Sequence, residues 1–271
     1  MCNACIIENV KATVQSRRAF FAKSAAAGAA ALAASVASAR VTLAQSSGKV
    51  VDLTHTFDEK FPTFDGKPGI AMKKLVDFKK DGYTIYELTI PEHSGTHIDA
   101  PLHFSEAGTS VADLEPQNLV CPLCIIDIKG KAKDDANAMV SKADVEAWVS
   151  ANGEIPKGAC VAMNSGWAAK VGDPSYRNLP DGNFAFPGFG KDATDFLAEL
   201  GAAAIAVDTL SLDPGNSKDF AVHYSWLPGG RFGIENVNNL DQLPAKGATV
   251  FVGAPKHRGG TGGPARILAT V

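Results

Sequence analysis

The run Pro91-Glu92-His93-Ser94-Gly95-Thr96-His97-Ile98-Asp99-Ala100-Pro101-Leu102-His103-Phe104 carries three of the six histidines of the chain and a carboxylate among them. Pro91 and Pro101 bracket it and Gly95 sits inside, which argues against a helix and for an extended segment or turn. In an extended chain alternate side chains share a face. On that basis His93, His97 and Asp99 point the same way. Gly95 lies between them and leaves the face open to a metal or a substrate approaching the backbone. Two imidazoles and one carboxylate on one face suit Zn or Mn. His103 has the same parity, but Pro101 disturbs the register, so His103 is expected near the site rather than on it. A lone histidine is usually a packing or surface residue. Two in phase with a carboxylate around a glycine are the usual sign of a metal or catalytic site.

The run fits the pattern His-x-Gly-Thr-His-x-Asp-x-Pro-x-His, and so resembles the signature of the metal-dependent cyclase-like hydrolases, the kynurenine formamidase and isatin hydrolase type. Further along, His223 lies in Phe220-Ala221-Val222-His223-Tyr224, read as sitting between two loops, and Glu235 lies in Phe232-Gly233-Ile234-Glu235-Asn236. Nothing local says where either side chain points, and a structural role is as good a reading as a functional one. The resemblance implies more. In the binuclear members a histidine and a glutamate twelve residues later complete a second metal position, and His223 and Glu235 have that spacing. Val207-Asp208-Thr209-Leu210-Ser211-Leu212-Asp213 resembles the family's Asp-x-x-Ser-x-Asp segment. The glycine-rich Gly259-Gly260-Thr261-Gly262-Gly263-Pro264-Ala265-Arg266 resembles its C-terminal turn. The resemblance runs from about residue 50 to 271.

The chemistry expected from this is metal-dependent hydrolysis of a C–N amide bond, in an aryl formamide or a cyclic amide such as isatin. One or two divalent ions, Zn2+ or Mn2+, would be held by His93, His97 and Asp99, with Asp99 bridging to His223 and Glu235. The ion would activate a water for attack on the amide carbon. His103 is expected to shuttle the proton to the leaving nitrogen, since imidazole titrates near neutral pH. If Glu235 is not a ligand, it is expected to act as base or hydrogen-bond partner to that water. An ester or lactone hydrolase on the same metal site, or a non-catalytic periplasmic metal or ligand binder, are the other readings. Ser165, in Asn164-Ser165-Gly166, lacks the Gly-x-Ser-x-Gly elbow, which argues against a serine hydrolase. A homodimer or homotetramer is expected.

The chain has 271 residues, 45% hydrophobic and 20% charged, enough for one large globular domain. A formal charge of −3 offers no basic field for nucleic acid, and no apolar run after residue 50 approaches a membrane span. Ser16-Arg17-Arg18-Ala19-Phe20-Phe21-Ala22-Lys23 resembles a twin-arginine export motif. An Ala-rich run follows, then Ala37-Ser38-Ala39 as a small-residue cleavage site, with a second after Ala44. Residues 1–39 are therefore expected to be an export signal, residues 40–271 the hydrolase domain, and the protein periplasmic. Cys121 and Cys124 have CxxC spacing with no second pair, and read together with Cys160 as small packing residues.

Strands are expected at 50–55, 71–78, 84–90, 125–128, 159–163, 203–207, 248–252 and 266–271. Tyr83 to Ile90 alternate as a half-buried strand should. Helices are expected after Ser141-Lys142-Ala143-Asp144, which resembles a capping box, and over 191–200. Residues 107–118 and 170–190 read as turn-rich loops, and the aromatic loop Phe57, Phe61, Pro62, Phe64 as packing or substrate-lining. Pattern alone gives an α/β or α+β class with a mixed sheet. The resemblance narrows it to α/β, a swivelling β/β/α domain with a mixed, barrel-like β-sheet and peripheral helices.

Overall fold

The computed structural model describes residues 48–271. The expected export signal lies outside them. The strands are β1 Val50–Asp52, β2 Ala71–Val76, β3 Ile85–Thr89, β4 His97–Asp99, β5 Val120–Asp127, β6 Met139–Val140 and β7 Cys160–Asn164. After these come β8 Gly188–Phe189, β9 Ala204–Val207, β10 Phe232–Glu235, β11 Lys246–Gly253, β12 Gly262–Pro264 and β13 Arg266–Thr270. Nine of them form one sheet, in the order β1-β13-β11-β5-β7-β9-β10-β4-β12. It is mixed: β5, β7, β9 and β10 run parallel, and the strands beyond them on both sides pair antiparallel. The sheet is a half-barrel with β1 and β12 as its edges, so the barrel-like expectation holds only in part.

Period-two alternation sorts the central strands into two cores. Cys121, Leu123 and Ile125 of β5, Cys160 and Ala162 of β7, and Ala204 and Ala206 of β9 face one cluster with Ile98, Phe232 and Ile234. Cys124 and Ile126, Val161 and Met163, and Ile205 and Val207 face the other. There they meet Ala132 of helix α1 Lys129–Asp134, Val145 and Trp148 of α2 Lys142–Asn152, Ala193 and Leu197 of α3 Lys191–Glu199, and Val222 and Trp226 of α4 Ala221–Trp226. Parallel strands buried on both faces read as unbroken apolar runs. That is why these strands were legible while their topology was not. Cys121 and Cys124 fall in opposite cores, because positions three apart on a strand face opposite ways. The pair cannot converge on one metal, and burial pushes both thiols up to about 11. The packing reading of the cysteines stands.

The capping box is present: Ser141 Oγ accepts from the Asp144 N–H, and the Asp144 carboxylate accepts from the Ser141 N–H. Strand β5 begins five residues before the expected 125, with Pro122 inside it. Pro122 pairs only with Thr249, because pairing to β7 starts at Leu123, so its missing N–H costs the ladder nothing on that side. The β2–β3 hairpin forms as expected, but it is not half-buried. All five residues of β3 are exposed, and Met72, Leu75, Tyr83, Ile85, Tyr86 and Leu88 stand in solvent. Alternation reported the pleat and not a core behind it. His223 lies on α4 rather than between loops. That helix is too short for a periodic pattern to reveal.

Candidate metal centre

Strand register assembles the site. β4 lies between β10 and β12, with Glu235 opposite His97 and Gly262 opposite Asp99. The run is not uniformly extended. Gly95 adopts φ +65°, a left-handed turn, and β4 begins only at His97. The role expected for Gly95 therefore changes. Its missing Cβ would lie 3.0–3.2 Å from ring atoms of Phe57, so the glycine makes room for an aromatic ring and turns the chain. His93 is brought to the site by this turn, not by strand parity. Pro101 opens a 3-10 turn, Pro101–His103, which folds His103 back until its ring stacks on His93 at 3.7 Å between centroids. His103 thus stands against His93, at the edge of the cluster.

All six expected residues converge. Asp99 Oδ1 lies 2.6 Å from His93 Nδ1 and 3.3 Å from His97 Nε2. Glu235 Oε2 lies 3.3 Å from His97 Nε2, and its Oε1 lies 3.4 Å from His223 Nε2. His223 Nε2 is 3.9 Å from Asp99 Oδ2. His97, Asp99, His223 and Glu235 are each at most 5% exposed. His97 Nε2 and Asp99 Oδ2 are buried with no hydrogen-bond partner among the described residues. Orphaned buried donors and acceptors carry a full desolvation cost, and here both are atoms of a kind that can ligate a metal, on residues whose side chains meet. Two overlapping groups have potential ligand atoms close enough to share an ion, His93-Asp99-His103 and His97-Asp99-Glu235. This N and O donor set fits a divalent Zn or Mn ion.

The electrostatics agree with that fit. Burial by itself would depress His97, but the Asp99 and Glu235 carboxylates outweigh it and hold the ring well above the usual histidine range. Burial is likewise outweighed at His223, which Asp213 and Glu235 raise to about 10. Burial would raise Asp99, yet His97 and His93 hold it well below the usual carboxylate range. The carboxylates thus demand positive charge at the centre, and a cation can displace the protons that otherwise supply it. His103 behaves differently: burial takes it down to about 4 despite the attraction of Asp99, so its ring is uncharged at neutral pH.

Several contributors had no role assigned from sequence. Asp213 accepts from the Val222 and His223 N–H groups and, at 2.6 Å, from His223 Nδ1. It starts α4 and aims Nε2 into the site, an arrangement common for ligating histidines. The only signal was its place in the Asp-x-x-Ser-x-Asp segment. Asn236 (φ +56°) donates to the Gly95 carbonyl and accepts from the Tyr176 hydroxyl. Thr96 Oγ1 donates to the Asn236 carbonyl. These bonds lock the turn of the motif to the end of β10. Ser165 Oγ donates to Asp208 and makes no bond to an imidazole among the described residues.

A cavity of about 250 Å³ opens onto the cluster, walled by Pro62, Phe64, Phe104, Leu210 and Phe220. The aromatic loop therefore divides: Pro62 and Phe64 line the cavity, while Phe57 and Phe61 pack against each other and against Gly95 or His55. Arg177 donates twice to the Phe64 carbonyl, holding that loop in place. Phe220 sits at φ +50°, ψ +44°, a strained conformation for a bulky residue, with its ring over the cavity.

The Cyclase family model matches residues 51–214. An isatin hydrolase of Roseibium aggregatum is 30% identical over 217 residues, covering 75% of this chain and 82% of that protein. A kynurenine formamidase of Bacillus cereus is 27% identical, covering 69% of this chain and 81% of that protein. Among solved structures, an isatin hydrolase bound to the product analogue thioisatinate superimposes with a TM-score of 0.78 at 28% identity, covering 83% of this chain and 92% of that one.

Proposed function

This chain belongs to the Cyclase family, and from that membership we propose that it is a metal-dependent hydrolase of an aromatic C–N amide, an aryl formamide or a cyclic amide such as isatin. The observation that carries the proposal is a pair of buried, unpartnered polar atoms, His97 Nε2 on a residue lining an aromatic-walled cavity and Asp99 Oδ2 on the carboxylate beside it. The names of the relatives, isatin hydrolase and kynurenine formamidase, both point to amide bonds on aromatic systems. The swivelling β/β/α class implied by the motif is compatible with the mixed half-barrel sheet and its layer of helices.

We assign His93, His97, Asp99, His223 and Glu235 as the residues that would hold one or two divalent ions, Zn2+ or Mn2+, with Asp99 the carboxylate that could serve both. A divalent ion bound there lowers the pKa of water and polarises the scissile carbonyl. The protein does the rest. Phe64, Phe104 and Phe220 hold a flat aromatic substrate and exclude water from the buried carboxylates. Asp213 keeps His223 oriented. His103 faces the same cavity as an uncharged ring able to accept a proton and pass it to the leaving nitrogen. Turnover of an aryl formamide, isatin, an aryl ester and a lactone by metal-loaded protein tests this reading. Amide hydrolysis abolished by chelation and restored by Zn or Mn is expected. Turnover confined to the ester or lactone would move the protein to the second class, and none at all to a binding protein.

Glu235 decides the number of metals. Its Oε1 also accepts from the Leu212 N–H at 3.0 Å, which fixes the carboxylate between His97 and His223. Glu235→Gln is expected to drop the stoichiometry from about two ions to one, impairing two-metal chemistry. A wild-type stoichiometry of one, unchanged in the variant, would make Glu235 a hydrogen-bond partner instead. We also propose export through the twin-arginine route, on the Arg17-Arg18 motif. Lysine at both positions should trap the precursor in the cytoplasm, and a processed, exported double variant would refute the route.

A further inference from the structure

Each imidazole assigned to the centre has one ring nitrogen tied elsewhere. His97 Nδ1 meets the Gly95 carbonyl at 2.9 Å and His223 Nδ1 meets Asp213 at 2.6 Å. Both partners only accept, so those nitrogens carry the proton and Nε2 is left to the centre. His93 is different. Its Nε2 lies 2.8 Å from Thr261 Oγ1, a hydroxyl that can donate or accept. What the hydroxyl does is decided one step further out. Glu92 Oε2 is the other partner of Thr261 Oγ1, and a carboxylate only accepts. The single Thr261 proton therefore goes to Glu92, and its lone pair is left for His93 Nε2–H.

The local structure enforces this arrangement. The Thr261 N–H also bonds Glu92, at 3.2 Å to Oε2, and half-exposed His257 Nε2 meets Glu92 Oε1 at 2.6 Å. The Ala100 N–H donates to the Thr261 carbonyl at 2.8 Å, pinning the strand. Gly262 lets it come close, since a Cβ there would stand 2.2 Å from the Ile98 carbonyl oxygen and 2.7 Å from His93 Cε1.

We propose that Glu92 and Thr261 are positioning residues that hold His93 with its proton on Nε2 and present Nδ1, which faces Asp99, to the metal. The inference rests on the metal reading above. It assigns His93 the opposite ligand nitrogen from His97 and His223, and it gives a role to a glutamate and a threonine that touch neither metal nor substrate. Partners of this kind are worth about 10–100-fold in metal affinity.

The test uses full-length protein with ¹⁵N-labelled histidine, metal-free and zinc-loaded, with the His93 signals assigned by their absence in His93→Asn. Nε2 of His93 is expected to carry a proton in both states, and Nδ1 to show the shift of a zinc-bound nitrogen on loading. An unprotonated Nε2 in the metal-free protein, or zinc on Nε2, would overturn the inference. Zinc affinity by chelator competition is the second arm. Thr261→Val should lose about 10–100-fold, Glu92→Ala a similar amount, and Thr261→Ser should recover most of it. Wild-type affinity in Thr261→Val would also overturn the inference. A wild type that takes up no zinc would end the metal reading, while the metal-free spectrum still judges the tautomer.

Discussion

Asp99→Ala is expected to leave the protein without metal and without measurable turnover. Asp99 is 1% exposed, and no other carboxylate in the site approaches as many imidazoles: His93 at 2.6 Å, His97 at 3.3 Å and His223 at 3.9 Å. Its Oδ2, like His97 Nε2, is buried with no hydrogen-bond partner among the described residues. Removing it deletes a shared ligand from both candidate ion positions and half the negative charge that draws a cation between Asp99 and Glu235. Loss of several kcal/mol of carbonyl and water activation, at about 1.4 kcal/mol per tenfold, predicts a fall on the order of 10³-fold or more. Elemental analysis and kcat/KM on isatin and an aryl formamide read the result, with circular dichroism to verify folding. Asp99→Asn keeps the volume and should lose metal as well, because the neutral amide is a poor ligand. Full metal content in a folded Asp99→Ala protein would remove the site assignment.

His103→Ala should keep most of its metal and lose about 10²–10⁴-fold in turnover, the range for general acid–base catalysis. Distance alone would not separate His103 from the ligands, since it stacks on His93 and can reach a common ion with His93 and Asp99. Hydrogen bonding does. His93, His97 and His223 each have a ring nitrogen tied down, whereas the His103 ring makes no hydrogen bond with any described residue. Ligands gain from a fixed tautomer; a proton carrier must exchange one. With the ring uncharged at neutral pH, the first act expected of His103 is to accept a proton. Metal loss equal to that of Asp99→Ala would instead make His103 a ligand. A variant with wild-type turnover would exclude it from proton transfer altogether.

The sequence by itself determined the motif, and with it the candidate site residues. His93, His97, Asp99 and His103 stand within one short segment, and His223 and Glu235 were reachable through a family spacing alone. It also determined the buried strands, because unbroken apolar runs such as Cys124–Ile126 and Ala204–Val207 need no partner to be recognised. It could not say why His93 joins the site. Alternation predicts a straight strand, while the left-handed Gly95 bends the chain, and its backbone angle depends on Phe57, nearly forty residues earlier. It could not place His103, since the fold-back at Pro101 is a local turn whose direction is set by contacts of its backbone with residues 108–109. The half-buried reading of β3 failed for the same reason: a pleat alternates whether or not a core lies behind it. Only the tertiary structure decided that Asp213 and Thr261 govern the outward nitrogens of His223 and His93. A hydrogen bond between residues 168 positions apart leaves no trace in local pattern, because it is made by the register of β12 against β4 and by nothing either segment carries alone.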